Sequence, residues 1–592
     1  MSSTYAHYQG PSSLPSDYAI ISALNANRGD LVDDDERDAD SLSDSEVTHL
    51  PGQTRQRKTR RSSQTANGYY YRPTNPTIGV RNDMPSFNRA VSETTPLLSN
   101  PPVPRIEEEA DASTVSSDHP VSPLKIFFDE LCILVRYAFP IFGTHILEYS
   151  LVVVSVVSIG HISTTALAAI SLGSMTASVS GFSIIQGMVS ALDTLLPSAW
   201  TSPQPHLVGL WSQRMTVVMT VCLIPTFFIW FNAKSILLFL KQEPEVANLA
   251  AIYLRWVSLG LPAYAFNCIS RYPIRRYFQS QGLFAVPTRI VTVVAPINAL
   301  LNWLLVWGPA PVRLGFIGAP IATALSFNLI SLLSILYGIF YAPKTAWYPL
   351  SMRMFTSLGV LFRLGLSGVI QTASEWWAWE LAALAASLLG PTALATQSVV
   401  LVSASTIFQA PFALSVATSV RIGNLLGQAN AARAKLACNT SILLSITLAL
   451  FTSSFFLAFR NQWALMFNDD PEVVRLTASI MPLVGLFQVF DGVSAVTGGI
   501  LRSRGKQFLG AMLNLSAYYI FGIPLGVYLA FGTGTGRGMG LHGLWLGLTF
   551  SLVYCALFGT WFCVTADWDK EVTKVQDRLK DEGGKKRQRD LV

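Results

Sequence analysis

"SGVIQTASEWWAWELAALAASLLGP" (Ser367–Pro391) is the stretch that decides the fold class of this chain. It is an apolar run that ends at a Gly-Pro pair and has the length a helix needs to cross a bilayer, about 20 residues. Two carboxylates, Glu375 and Glu380, stand inside it among three tryptophans. Because ionisable side chains are costly within a membrane, they usually belong to a functional site there.

Runs of this kind follow one another after Phe127, in a chain of 592 residues that is 51% hydrophobic and 13% charged. A soluble core cannot bury so many spanning-length helices, so the sequence predicts an all-α polytopic membrane protein. The twelve predicted spans are residues 132–157, 167–192, 215–238, 249–269, 286–308, 317–341, 359–388, 393–417, 437–459, 477–500, 508–531 and 541–564.

The segments outside the spans differ sharply in composition. Residues 1–125 are rich in serine and proline, with an acidic run (Asp30–Glu46) followed by a basic run (Arg55–Ser63). Low hydrophobicity and segregated charge predict a disordered tail. Residues 567–592 form a second charged tail. The six cysteines lie within or beside apolar runs and form no CxxC pair, so they predict packing rather than a metal site.

The distribution of basic residues predicts the orientation. With both termini in the cytosol, the inner loops hold most of the loop lysines and arginines, as the positive-inside rule requires. Both tails are therefore predicted to be cytoplasmic. Arg421, Arg502 and Arg504 lie at the cytoplasmic ends of spans, where we expect them to fix this orientation. Asp193 also lies at such an end, where a loop or capping role is favoured.

The chain also contains a weak internal repeat. "TTALAAISLGSM" (Thr164–Met175) resembles "PTALATQSVVLV" (Pro391–Val402), and "GFIGAPIATAL" (Gly315–Leu325) resembles "GLHGLWLGLTF" (Gly540–Phe550) at nearly the same offset. Generic membrane composition is the alternative explanation. The repeat predicts two six-helix lobes of equal topology, residues 126–345 and 346–566. Such an arrangement is typical of alternating-access transporters.

The seventh span carries the most specific chemistry. Glu375 and Glu380 are about 140° apart on a helix, so both avoid lipid only where protein surrounds the helix or where the helix is bent. Gln371 and Trp379 lie one turn from Glu375, and Trp376 lies one turn from Glu380. A buried carboxyl group disfavours its charged form, so it can hold either a proton or a cation. Indole faces add cation–π attraction.

Polar side chains interrupt other spans as well. They are expected either to line a cavity or to hydrogen-bond one helix to another, and the sequence leaves both uses open. In Glu148 the choice is between a structural pair with His145, three residues earlier on the same helix face, and a proton relay. The candidates are Glu148 in the first span, Asn298 and Asn302 in the fifth, Asp491 in the tenth, and Tyr518 and Tyr519 in the eleventh.

Several stretches resemble the multidrug and toxic compound extrusion (MATE) family, in its fungal branch. They are "GHISTTALAAISL" (Gly160–Leu172), "GMVSALDTL" (Gly187–Leu195), "ALSVATSVRIGNLLGQA" (Ala413–Ala429), "EWWAWE" (Glu375–Glu380) and the long stretch Asp491–Gly526. Together they cover the membrane part, about residues 130–565.

The resemblance implies an acidic site in the C-terminal lobe, with Asp491 completing a cluster with Glu375 and Glu380. Prokaryotic members place an aspartate in the first span, where counting from Gly160 finds Ser155 instead. Glu148, about two turns earlier, is the only carboxylate of that span. The cytoplasmic turn "LPSAWTSPQP" (Leu196–Pro205) also departs from the family pattern.

These observations predict a secondary antiporter that exports or sequesters organic cations and xenobiotics in exchange for protons. Sodium coupling stays open, because carboxylates and backbone carbonyls bind sodium as well. The alternatives are a flippase for a lipid-linked or amphipathic substrate, a receptor, or a membrane-embedded enzyme. No nucleophile motif, metal spacing or phosphate loop supports an enzyme. We expect a monomer among membrane lipids, with no cofactor and no nucleic-acid partner.

The N-terminal tail contains a predicted address. "SETTPLL" (Ser92–Leu98) resembles an acidic dileucine sorting signal, with Glu93 followed by Leu97 and Leu98. Pro96 favours an extended conformation in the residue before it, which suits binding by an adaptor complex. The signal favours the vacuolar membrane, with the plasma membrane as the alternative.

Overall fold

A computed structural model of the chain describes residues 123–590, apart from residues 161, 163, 241, 270–274, 342–343, 466–470 and 533–537. The N-terminal tail, with the predicted sorting residues Glu93, Leu97 and Leu98, lies outside the described residues. The regular elements in the described part are helices. The α-helices are α1 (Pro123–Gly160), α2 (Thr164–Ala177), α3 (Ser183–Val189), α4 (Ala191–Trp200), α5 (Leu207–Phe231), α6 (Ala233–Phe239), α7 (Pro244–Val257), α8 (Leu261–Ile269), α9 (Arg275–Ser280), α10 (Ala285–Trp307), α11 (Gly318–Phe340), α12 (Leu358–Leu388), α13 (Pro391–Gly427), α14 (Ala431–Leu465), α15 (Pro471–Ser503), α16 (Gln507–Leu515), α17 (Ile523–Phe531), α18 (Leu541–Val564) and α19 (Trp568–Asp590).

The predicted spans fall on these helices. Within the described part, 10 helical segments are long and apolar enough to cross a membrane, from Ala169–Trp200 to Leu541–Val564. The two remaining predicted spans fall on α1, with 38 residues, and α12, with 31 residues. At about 1.5 Å per residue both exceed the hydrocarbon thickness of about 30 Å. The fold is the predicted one: an all-α membrane protein with two six-helix lobes.

Two spans contain a wider π-helical turn. Ser178–Phe182 separates α2 from α3, and Ser516–Gly522 separates α16 from α17. Such turns reorient the side chains beyond them and are frequent at functional sites. Here the first turn faces the inter-lobe cavity described below, and the second holds Tyr518 and Tyr519.

Small residues bring the two lobes close together. In α3 a Cβ atom at Gly187 would collide with the backbone of Val369 in α12, and one at Gly368 would collide with Gly187. Gly365 of the same helix lies equally close to the N-terminal lobe, since a Cβ atom there would collide with Met188. The position of α12 against the N-terminal lobe therefore depends on glycine at both surfaces.

The second charged tail forms helix α19, which contacts both lobes at one end of the bundle. Arg214 of α5 donates to Glu582 at 3.1 Å, and Arg504, which directly follows α15, donates to Glu571 at 3.1 Å. Gln576 donates to the carbonyl of Gly427 at the end of α13, at 3.0 Å. We call this end of the bundle the α19 side; it is the end predicted to be cytoplasmic.

Candidate functional site

A cavity of ≈ 520 Å³ lies between the lobes. Helices α1, α3 and α8 line it from the N-terminal lobe, and α12, α13 and α15 line it from the C-terminal lobe. Its volume falls in the range of small-molecule sites, about 300–1,000 Å³, and its wall mixes aromatic with charged side chains.

Most of the predicted site residues line this cavity. They are Glu148, Gln371, Glu375, Trp376, Trp379, Glu380 and Asp491. Glu375 and Glu380 both reach the cavity although they are about 140° apart on α12. The wall therefore wraps around this helix. Trp377 is 42% exposed on another face of α12, and its indole donates to the carbonyl of Val179 in the N-terminal lobe at 3.2 Å.

An aromatic cluster supports the cavity wall beside Glu375. The Trp379 ring lies 5.3 Å from Phe487 and 5.7 Å from Trp545, measured between centroids. The Trp545 indole donates to Gln397 at 2.8 Å, which fixes the cluster to α13. Trp379 is thus held in place by packing on one side, while the cavity is open to it on the other. A rigid indole next to carboxylates is suited to an organic cation.

Helix α15 presents a polar face to the cavity. Asp491 lies there, followed by Ser494, Gly498 and Arg502 on the same face. Asp491, Arg502 and, from α12, Glu375 all line the cavity. The C-terminal lobe thus brings a cluster of carboxylates and one guanidinium group to a single wall.

Tyr518 and Tyr519 lie behind this wall. Of the described residues, those that line the cavity include neither tyrosine. Tyr518 is buried, and the Tyr519 hydroxyl donates to the carbonyl of Ser374 at 3.2 Å. For Tyr519, the structure thus supports helix-to-helix bonding, one of the two uses that the sequence left open. Tyr519 fixes the α12 backbone one residue before Glu375.

Asn298 and Asn302 belong to a buried network within the N-terminal lobe. Asn302 donates to Asn298 Oδ1 at 3.2 Å and accepts from Ser155 at 3.2 Å, while Ser155 also pairs with Thr323 at 3.0 Å. These bonds join α1, α10 and α11, and the cavity wall described above does not include the two asparagines. Ser155, the residue found where the resemblance led us to look for an aspartate, therefore belongs to an uncharged hydrogen-bond network.

Glu148 and His145 face the cavity from α1. His145 Nδ1 lies 3.8 Å from Glu148 Oε2, and the imidazole packs edge-on against Phe412 of α13 with centroids 4.9 Å apart. The side chain of Glu148 is 25% exposed. The N-terminal lobe thus contributes one carboxylate across the cavity from the Glu375 cluster.

Three residues with larger roles than the sequence indicated meet on the α19 side. Asp193 is buried rather than capping an exposed turn, with its Oδ1 3.0 Å from Arg276 Nη1 and its Oδ2 3.4 Å from Arg502 Nε. Both arginines line the cavity. The only sequence signal was a carboxylate and arginines at span ends, and nothing in the sequence pairs residues this far apart.

A second charged cluster joins the lobes on the same side. Arg421 of α13 donates to both oxygens of Glu130 in α1, at 2.6 and 2.9 Å, and Arg433 of α14 donates to Glu130 at 2.6 Å. Arg421 was expected only to orient the chain. It is instead part of a buried inter-lobe ion cluster.

Comparisons with known proteins agree with the fold. The MatE family model matches residues 140–304 and 369–528. The uncharacterized transporter C4B3.13 of Schizosaccharomyces pombe is 36% identical over 498 residues, which are 83% of this chain and 89% of the relative. Multidrug and toxin extrusion protein 2 of Mus musculus is 31% identical over 452 residues, 76% of this chain and 77% of the relative.

Among solved structures, the eukaryotic MATE transporter AtDTX14 superposes with a TM-score of 0.72 at 29% identity, covering 77% of this chain and 100% of that one. The family match spans both lobes, and the relatives align over most of their own length. The chain therefore belongs to the MATE family of membrane transporters.

Proposed function

We propose that this transporter exports or sequesters organic cations and related xenobiotics in exchange for protons, by alternating access of one cavity between the lobes. The observation that carries the proposal is the cluster of Glu375, Glu380 and Asp491 on the cavity wall, next to the indoles of Trp376 and Trp379. The name of the mouse relative, which refers to multidrug and toxin extrusion, supports the substrate class.

The wall chemistry favours a cation over an anion or a neutral solute. The carboxylates provide negative charge in a partly enclosed space, where electrostatic attraction is stronger than in water. The indole faces add about 0.5–2 kcal/mol of attraction for a cation placed over them. A flat or branched hydrophobic cation satisfies both kinds of contact, and the size of the cavity, ≈ 520 Å³, fits a drug-sized molecule.

The same carboxylates explain exchange. A carboxyl group in an apolar environment disfavours its charged form, and either a proton or an organic cation can neutralise it. The two ligands therefore compete for one site. A carrier that crosses between states only when this site is neutralised exchanges one ligand for the other.

The competing interpretations have less support. Membership in a transporter family excludes the membrane-embedded enzyme. The carboxylates and indoles of the cavity wall favour an organic cation over the lipid-linked or amphipathic substrate of a flippase. The uptake experiment described next distinguishes sodium from protons as the coupling ion.

Uptake of a fluorescent organic cation into proteoliposomes tests the proposal. We expect an imposed pH gradient to drive uptake, and an equal sodium gradient without a pH gradient to drive none. Glu375→Gln keeps the shape of the side chain but removes its charge, so we expect a folded protein without gradient-driven uptake. Glu380→Gln and Asp491→Asn should also reduce uptake.

The matched control is Glu243→Gln, which makes the same chemical change at an exposed loop position. It should transport at the wild-type rate. Uptake driven by sodium alone would refute proton coupling, and full proton-driven uptake by Glu375→Gln would refute the role of this carboxylate.

A further inference from the structure

Arg502 occupies the point where the cavity meets the inter-lobe contact on the α19 side. It lies in the last turn of α15, eleven residues after Asp491. Eleven residues complete about three helical turns with about 20° to spare and rise about 16 Å. Both side chains therefore project from the same face, and both line the cavity.

Arg502 also contacts the other lobe. Its Nε lies 3.4 Å from Asp193 Oδ2 of α4, and its carbonyl accepts a hydrogen bond from Thr194 of the same helix at 2.5 Å. Within its own lobe, its Nη2 donates to Ser415 of α13 at 2.9 Å. One guanidinium group thus links the substrate wall to the contact that holds the lobes together.

Two arginines contact the Asp193 carboxylate, and the contact made by Arg502 is the longer of the two. Arg276, in the same lobe as Asp193, lies 3.0 Å from the Asp193 carboxylate, against 3.4 Å for Arg502. A second carboxylate near Arg502 therefore competes effectively for its charge. Glu375 is such a group: it lines the same cavity as Arg502, one turn along α12 from Gln371, and the Gln371 amide and the Arg502 guanidinium group lie side by side over Gly498.

We propose that Arg502 couples the charge of the cavity carboxylates to closure of the lobes on the α19 side, as a positioning residue that is attracted either by Asp193 or by Glu375. When a proton or an organic cation neutralises Glu375, Arg502 stays with Asp193 and the lobes stay closed there. When Glu375 is ionised and empty, it draws the guanidinium towards the cavity, and the inter-lobe contact weakens.

This mechanism rests on the proposed function and adds a reason for its coupling. The empty, ionised transporter is held open towards the α19 side, where it waits for a cation. Crossing without a ligand is therefore suppressed, and proton leak with it. The charged and titratable side chains that surround the pair are Asp193, Arg276, Glu375, Asp491, Tyr518 and Cys555. Glu148 and Glu380 face the same cavity from farther along its wall.

The test measures closure directly, without transport. Val420 of α13 is 3% exposed and packs in one cluster with Ile141 of α1, so a cysteine there is protected while the lobes are closed. The purified Val420→Cys protein is placed in lipid nanodiscs, in a Cys132→Ser background because Cys132 is exposed. Its rate of reaction with a membrane-impermeant maleimide then reports opening.

We expect Glu375→Gln to slow labelling by at least about fivefold, the lower end of typical coupling between sites. Raising the pH should speed labelling more in the protein with Glu375 than in Glu375→Gln, where only the intrinsic reactivity of the thiol increases. Arg502→Gln should label fast, and adding Glu375→Gln to it should change nothing. Arg502→Lys should restore part of the response, since it keeps the charge but not the planar fork.

Asp193→Asn tests the same competition from the other lobe and covers the case in which Arg502→Gln does not fold. It should also label fast and be insensitive to Glu375→Gln. The control Arg363→Gln removes an exposed arginine from α12 and should behave as wild type.

An equal effect of Glu375→Gln in the Arg502 and Arg502→Gln proteins would overturn the proposal, as would no effect in either. Failure here is distinct from failure of the proposed function. If Glu375→Gln abolishes proton-driven uptake but leaves labelling unchanged, antiport stands and the role of Arg502 falls. If labelling responds but a pH gradient drives no uptake, the coupling ion is wrong and the charge switch stands.

Discussion

Replacing Glu130 with glutamine removes the charge at the centre of the second inter-lobe cluster. The side chain is 0% exposed, and it accepts hydrogen bonds from Arg421 and Arg433 of the opposite lobe. Glu130→Gln keeps the size of the side chain, but it leaves two guanidinium groups next to a neutral amide. The wild-type cluster is closed by a bidentate pair, with Arg421 nitrogens 2.6 and 2.9 Å from the two oxygens.

The expected magnitude follows from this burial. Removing one partner of a buried ion pair costs about 3–5 kcal/mol, because an uncompensated charge remains. Glu130 bridges α1 to α13 and α14, so the cost falls on the state in which the lobes are closed on the α19 side. At about 1.4 kcal/mol per factor of ten, the equilibrium shifts towards the open state by about a hundredfold to a few thousandfold.

Labelling of Val420→Cys in nanodiscs measures this shift, with a melting curve to establish that the variant is folded. We expect much faster labelling for Glu130→Gln, a similar increase for Arg421→Gln, and no change for the exposed control Glu243→Gln. An increase of less than about fivefold in a folded Glu130→Gln protein would refute the assignment of this cluster to lobe closure.

Three further predictions concern binding, orientation and address. Trp379→Ala should raise the KM for a cationic substrate by about 2- to 30-fold, the range that corresponds to about 0.5–2 kcal/mol of cation–π attraction. The KM for a neutral competitor should stay nearly unchanged, and an equal rise in both KM values would exclude a cation-specific role. An impermeant thiol label applied outside cells should reach Thr164→Cys but not Ser62→Cys, and the reverse pattern would overturn the predicted orientation. Replacing Leu97 and Leu98 by alanine should move a tagged protein from the vacuolar to the plasma membrane, and a wild-type protein already at the cell surface would contradict the sorting signal.

The sequence by itself determined the membrane class and the approximate positions of the spans. A spanning helix must be apolar over about 20 consecutive residues. Each span can therefore be recognised from its own stretch of sequence, without knowledge of its neighbours. The seventh span was also assigned from local information, because Glu375 and Glu380 stand where a charge is costly. The energetic cost of a carboxylate within the membrane was enough to predict a functional role for both, and the structure places both on the cavity wall.

The uses of the remaining polar residues depended on the tertiary structure. Asn302 and Tyr519 have the same polar character as cavity residues, yet one bonds to Ser155 and the other to the backbone of Ser374. A helical sequence shows which side chains share a face, but not which neighbour that face meets. That neighbour is set by how the helices pack, within the N-terminal lobe for Asn302 and against α12 for Tyr519.

Only the tertiary structure decided the inter-lobe ion pairs. Glu130 and Arg421 are 291 residues apart in sequence, and Asp193 meets Arg502 from the opposite lobe. At the sequence level each is a charge at the end of a span, which the positive-inside rule or a helix cap explains equally well. These residues pair because the two lobes contact each other there. No periodicity or short motif in the sequence predicts a contact between segments so far apart in the chain.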